Sequence, residues 1–115
     1  EATDTVRIDG NVYAQGGGAS GGVGNWSGGG SGGGIFIRCI SFTGNPGGLL
    51  NASGGNGGGS GNSGGGGRIA VWRVRDKFYG NASAMNGING YTANDQTGTV
   101  VWVLLPGEGS VITVR

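Results

Sequence analysis

From Gly16 to Gly67 the chain carries 25 glycines in 52 residues, interrupted by one apolar run, Ile35-Phe-Ile-Arg-Cys-Ile-Ser-Phe42. By composition such runs read as flexible linker or disorder. Order would carry a demanding condition. Fixing the backbone of these 52 residues costs about 50–100 kcal/mol of conformational entropy, and glycine sits at the expensive end of that range. Side chains are too few to offset it. The remaining source is main-chain hydrogen bonding between closely packed neighbouring segments, which the absence of a Cβ permits.

Leu, Ile, Val and Phe number 24 of 115 residues, near the lower limit for building a core, yet the net charge is only +1. Charged residues make up 11%, so little keeps copies of the chain apart, and an assembled protein is expected. Near-neutrality offers no general attraction to nucleic acid or anionic lipid. No apolar run reaches 18 residues, so no membrane span is expected. The chain opens on Glu1 without a signal peptide, which reads as a processed product or an excerpt from a longer protein. One cysteine, Cys39, leaves no disulfide framework within the chain.

Strand signals recur along the sequence. Val6–Ala14 alternates apolar and polar around Gly10, as two short strands joined by a bend. Ile35–Phe42 is the strongest strand, followed by a turn at Thr43–Gly48 and a short strand at Gly48–Ala52. Arg68–Arg75, Thr99–Leu105 and Ser110–Arg115 are also strands, and Asn86-Gly87 and Asn89-Gly90 are turns. No 3.6-residue apolar period appears, so no significant helix is expected.

These pieces repeat. Ile8-Asp-Gly10-Asn, continuing to Ala14-Gln-Gly-Gly, matches Phe42-Thr-Gly44-Asn, continuing to Ala52-Ser-Gly-Gly; Tyr79-Gly80-Asn-Ala-Ser-Ala84 is a worn third copy. Matched glycines Gly10, Gly44 and Gly80 are 34 and 36 residues apart, the spacing of a solenoid in which each coil buries its face on its neighbours. The expectation is one all-β domain over residues 1–115, a short glycine-rich β-solenoid of about three coils (roughly 5–34, 35–67 and 68–115). Its polyglycine returns would pack together as extended chains, and Trp72 and Trp102 would stack in register on an inner face.

The pattern of strand, short strand ending Ala-x-Gly-Gly, glycine run and Gly66-Gly-Arg-Ile-Ala70 resembles the glycine-rich coils of large bacterial secreted and cell-surface proteins. The resemblance implies a parallel β-helix and an extracellular or cell-surface location. The runs also resemble proteins whose glycine segments form packed bundles of left-handed threefold helices. Collagen is excluded by the absence of a Gly-x-y period and by two prolines.

Catalytic chemistry finds few handles. There is no histidine, which removes Ser-His-Asp and Cys-His systems and histidine metal sites. Glu1, Asp4, Asp9, Asp76, Asp95 and Glu108 are scattered without a close pair. Gly16–Gly67 has no aspartate for a calcium-binding glycine repeat, and its Gly-x-Gly-x-x-Gly match is what chance produces in so rich a run. No enzyme activity, cofactor or metal is expected. Arg68, Arg73, Arg75 and Lys77 with Trp72, Phe78 and Tyr79 form a basic-aromatic cluster. Alternation sets Arg73, Arg75 and Lys77 on one side, as a solvated ladder or a contact for a polyanion or glycan. Cys39 shares the side of Ile35 and Ile37, as a buried thiol ahead of an intermolecular bridge, and Trp26 plugs a gap or a contact between copies ahead of stacking on a sugar. Asn25, Asn51 and Asn81 open glycosylation sequons, the last two at corresponding places in the repeat.

The function expected is structural: a subunit of an extracellular fibre or surface layer, polymerising with copies of itself. The joint would use terminal strands, Thr5, Val6 and Ile8 at one end and Val111, Ile112 and Val114 at the other. The other reading is an adhesin or binding module recognising a glycan or cell surface.

Overall fold

The computed structural model describes residues 4–19, 26–88 and 96–106. Seven strands account for all its regular structure: β1 (Thr5–Arg7), β2 (Asn11–Tyr13), β3 (Gly34–Gly44), β4 (Leu49–Asn51), β5 (Arg68–Phe78), β6 (Asn81–Ser83) and β7 (Thr99–Leu104). They form two sheets, ordered β1-β3-β5-β7 and β2-β4-β6, and every pairing is parallel. Successive strands alternate between the sheets, a path compatible with a small solenoid-like fold. No helix occurs among the described residues.

The core lies between the sheets. Phe42, Leu50, Ala52, Ile69 and Val71 are fully enclosed, with Ile35 and Cys39 beside them. Each enclosed large side chain contributes about 1.5–3 kcal/mol of transfer free energy. In β3 the inward positions are Ile35, Ile37 and Cys39, and then Phe42. The parity changes at Ile40 and Ser41, whose N–H groups both donate to the Asp4 carbonyl at 3.1 and 3.0 Å. Two donors opposite one residue make a bulge. Across it, Arg75 and Lys77 pair with Ser41 and Thr43.

The glycine runs are ordered by main-chain bonds. Gly29 and Gly32 donate to the carbonyls of Asn62 and Gly65, while Gly30 and Gly33 donate to those of Gly17 and Ala14, all at 2.7–2.9 Å. Gly55 and Gly58 donate to Gly30 and Ser27, again three residues apart. A donor recurring every third residue has the period of a polyproline II helix, which has no internal hydrogen bonds and leaves each peptide free to bond sideways. Asn86 and Gly87 lie inside this arrangement rather than in a turn: Gly87 N–H donates to Gly64 and Met85 accepts from Gly54. Among the described residues the one left-handed glycine is Gly59, at φ 52°, where the chain reverses beside the Gly61 N–H to Gly58 carbonyl bond of 2.7 Å.

Three expected equivalences shift. Asn11 pairs with Leu49 and Leu49 with Asn81, so Gly10 corresponds to Gly48 and Gly80 rather than to Gly44. Two extra residues in the Asn45–Gly47 corner displace the match. Asn51 pairs with Ser83, so the Asn51 and Asn81 sequons are out of register by two residues. Trp102 pairs with Val71, and Trp72 with Val103. That one-residue slip puts the two indoles on opposite faces, because side chains alternate along a strand.

Candidate functional site

Two surfaces carry side chains able to engage something outside the chain. The first is the end of the core at β7. Ile35, Ile69 and Val100 form one inward row, and Ile37, Val71 and Trp102 the next. Ile69 and Val71 are 0% exposed, while Val100, Trp102 and Leu104 are 36%, 40% and 65% exposed. The difference follows from position: β5 has a strand on each side, and β7 has only β5 among the described residues. Beneath Trp102 the aromatic rings continue, Phe42 and Phe78 lying 4.6 Å apart and Trp102 6.2 and 6.1 Å from each.

Arg73 belongs to this end rather than to a ladder with Arg75 and Lys77. Its guanidinium lies 5.4 Å from the Trp102 ring and pairs with Asp76 at 2.6 Å, leaving its side chain 12% exposed. A cation over an indole is favourable there because the ring face is electron-rich. Asp76 also accepts from the Phe78 N–H at 2.8 Å and so fixes the end of β5 that carries Phe78 into the stack.

At the opposite end β1 is the edge strand, with Thr5, Val6 and Arg7 paired to Ser41, Phe42 and Thr43. Val6 and Ile8 pack on the core. The corner after β1 is closed by Asp9, which accepts from Arg7 Nε at 2.6 Å and from the Asn45 N–H at 2.9 Å. The Arg7 hydrogen bond foremost, and then that of Asn45, hold the Asp9 carboxyl below its ordinary pKa. The other expected assembly residues, Val111, Ile112 and Val114, lie outside the described residues, as does Asn25.

The second surface is the outward face of the four-stranded sheet. Phe36 and Trp72 meet edge to face at 6.4 Å and border an open groove with Gly34, Arg68 and Ala70. Arg38 stands beside Trp72 in register. Neither aromatic signal was separable by alternation alone, since Trp72 and Trp102 sit in similar Val-rich contexts.

Other expected sites are dispersed. Cys39 is a free thiol, 4% exposed, and burial raises its pKa. Trp26 is 75% exposed and fills no gap among the described residues. Asn81 is exposed, whereas Asn51 is half-buried with its amide oxygen accepting from the Ser53 N–H at 2.9 Å. The two sequon hydroxyls, of Ser53 and Ser83, are 3.2 Å apart. Among the described residues no group of three or more His, Cys, Asp or Glu can hold a metal, and no helix is long and apolar enough to cross a membrane. No protein-family model matches the chain, and comparison with curated proteins and with solved structures finds no match.

Proposed function

We propose that the chain is a glycine-rich β-solenoid of about three coils, and that it acts as a structural unit of an extracellular fibre or surface layer by stacking on like units. The observation that carries this reading is the bare inward row of β7: Val100, Trp102 and Leu104 are exposed where their counterparts Ile69 and Val71 are enclosed. A further coil laid on β7 would pair the edge that no described strand occupies and cover these three side chains. The edge strand β1, with Thr5 and Val6, is a parallel strand of matching direction at the opposite end. Head-to-tail contact between two different ends does not close on itself and propagates into a filament. Extracellular placement rests on the resemblance of the glycine-rich coils to those of bacterial surface proteins.

Sedimentation velocity and negative-stain microscopy of the full chain test the reading. Concentration-dependent filaments are expected, and Trp102→Asp with Leu104→Asp should leave monomers. Deleting Ser110–Arg115 should shorten or abolish the filaments if the C-terminal strand completes the joint. A chain that stays monomeric at every concentration overturns end-to-end stacking.

A further inference from the structure

We propose that the outward face of the four-stranded sheet binds an acidic polysaccharide, with Phe36 and Trp72 against the sugar rings and Arg38 and Arg68 on the anionic groups. This surface lies away from the ends used for stacking, so the two readings stand or fall separately.

A solvated sheet face alternates toward polar residues, and this one does not. Phe36, Ala70 and Val101 form one cross-strand row, followed by Arg38, Trp72 and Val103. Phe36 is 67% exposed. Ala70, Trp72, Val101 and Val103 around it are half-buried, so an exposed ring stands on a partly accessible apolar face, which is the kind of surface that marks a contact site. Gly34 and Ala70 contribute almost no side chain, so the groove of about 490 Å³ between Arg68, Phe36 and Trp72 has a flat floor.

Charge selects the occupant. Of the three described acids, Asp9 and Asp76 are taken up by Arg7 and Arg73, and Asp4 borders a separate pocket with Arg38. Arg38, Arg68, Arg75 and Lys77 make no ion pair with any described residue. Arg68, Arg75 and Lys77 follow one another along β5, and the last two share an outward patch with Ser41 and Thr43. Cations spaced along a strand suit a linear anionic chain, and the guanidinium fork matches carboxylate and sulfate oxygens. Pyranose rings present apolar faces that rest on aromatic side chains. Single-stranded nucleic acid is less well matched: the edge-to-face rings, inclined by 65°, offer no parallel platform for successive bases. A net charge of +1 also gives no long-range pull on a phosphate backbone.

Affinity electrophoresis of the full chain through gels containing polygalacturonate or chondroitin sulfate tests the proposal, with dextran and a thymidine oligomer as comparison probes. Retardation by at least one acidic polysaccharide, weakening with added salt, is expected. R38Q and R68Q should each weaken it by roughly three- to tenfold, and W72A by about the same. R7Q removes the same charge from a guanidinium already tied to Asp9 and should change it less than twofold, within about what an exposed pair contributes. Thermal melts matching the parent chain keep the variants interpretable. Retardation by neither acidic polysaccharide, stronger binding of the thymidine oligomer, equal retardation by dextran, or an R7Q effect as large as that of R68Q would each overturn it.

Discussion

The sheets and the glycine segments are held by opposite means. In the sheets a strand has at most two neighbours, and the stability comes from side chains such as Phe42, Leu50, Ile69 and Val71 enclosed between the layers. The glycine segment 61–67 instead exchanges main-chain hydrogen bonds with four neighbours: residues 29–32, residues 52–58, Gly87 and residues 96–99. Its packing is backbone on backbone. A Cβ on Gly64 would overlap the Gly30 carbonyl, and one on Gly55 would overlap that of Gly17. The same atom that builds the core in one region would dismantle the other. Core strength therefore scales with side-chain area, and bundle strength with its absence.

The sharpest way to break this contrast is to put side chains into the bundle. Gly64→Val should abolish cooperative folding or cost more than about 4 kcal/mol, because fixed backbone surrounds the site. Gly17→Val, in a neighbouring segment, places its Cβ where nothing lies within 4 Å and should cost less than about 1 kcal/mol. Gly30→Val falls between them, with the Gly17 nitrogen 3.2 Å from the new Cβ. Urea titration by circular dichroism measures all three, and equal losses at Gly64 and Gly17 would refute backbone-on-backbone packing.

Deleting side chains tests the other half. Phe42→Ala should cost about 3–5 kcal/mol, since the ring is enclosed between strands. Trp102→Ala should cost clearly less, because that ring is 40% exposed. A reversed order would mean that the β7 end is covered in solution.

Cys39 reports on the core without strain. Its thiol should react with Ellman's reagent about 100-fold more slowly in the folded chain than in urea, as enclosed groups react through local opening. Burial raises its pKa, so folding is favoured below the unfolded thiol's pKa and this contribution declines as pH rises through the folded value. Cys39→Ala should flatten stability against pH in that alkaline window.

The smallest expected effect is at the Asp9 corner. Its pKa is lowered, so its contribution is full above the ordinary value of 3.8 and is lost as pH falls through the lower folded value. Asp9→Asn should therefore remove part of the acid dependence of the melting temperature while leaving the alkaline side unchanged.

Much of the local structure was legible in the residues themselves. β-branched and aromatic runs mark β3, β5 and β7, and the recurring Ala14, Ala52 and Ala84 do fall at equivalent places, with Ala14 N–H donating to Asn51 and Ala52 N–H to Ser83. The need for main-chain bonding among the glycines followed from entropy and from the lack of side chains. What alternation could not decide was register. Two residues at the Asn45–Gly47 corner move the partner of Gly10 from Gly44 to Gly48, and one residue separates Trp72 facing out from Trp102 facing in. The bulge at Ile40–Ser41 likewise separates Arg73, over Trp102, from Arg75 and Lys77 on the outward face. Periodicity within a strand is set by the backbone and can be read from the chain. Which strand positions lie side by side is set by the length of each corner and by how the coils settle on one another, so only the tertiary structure decided it.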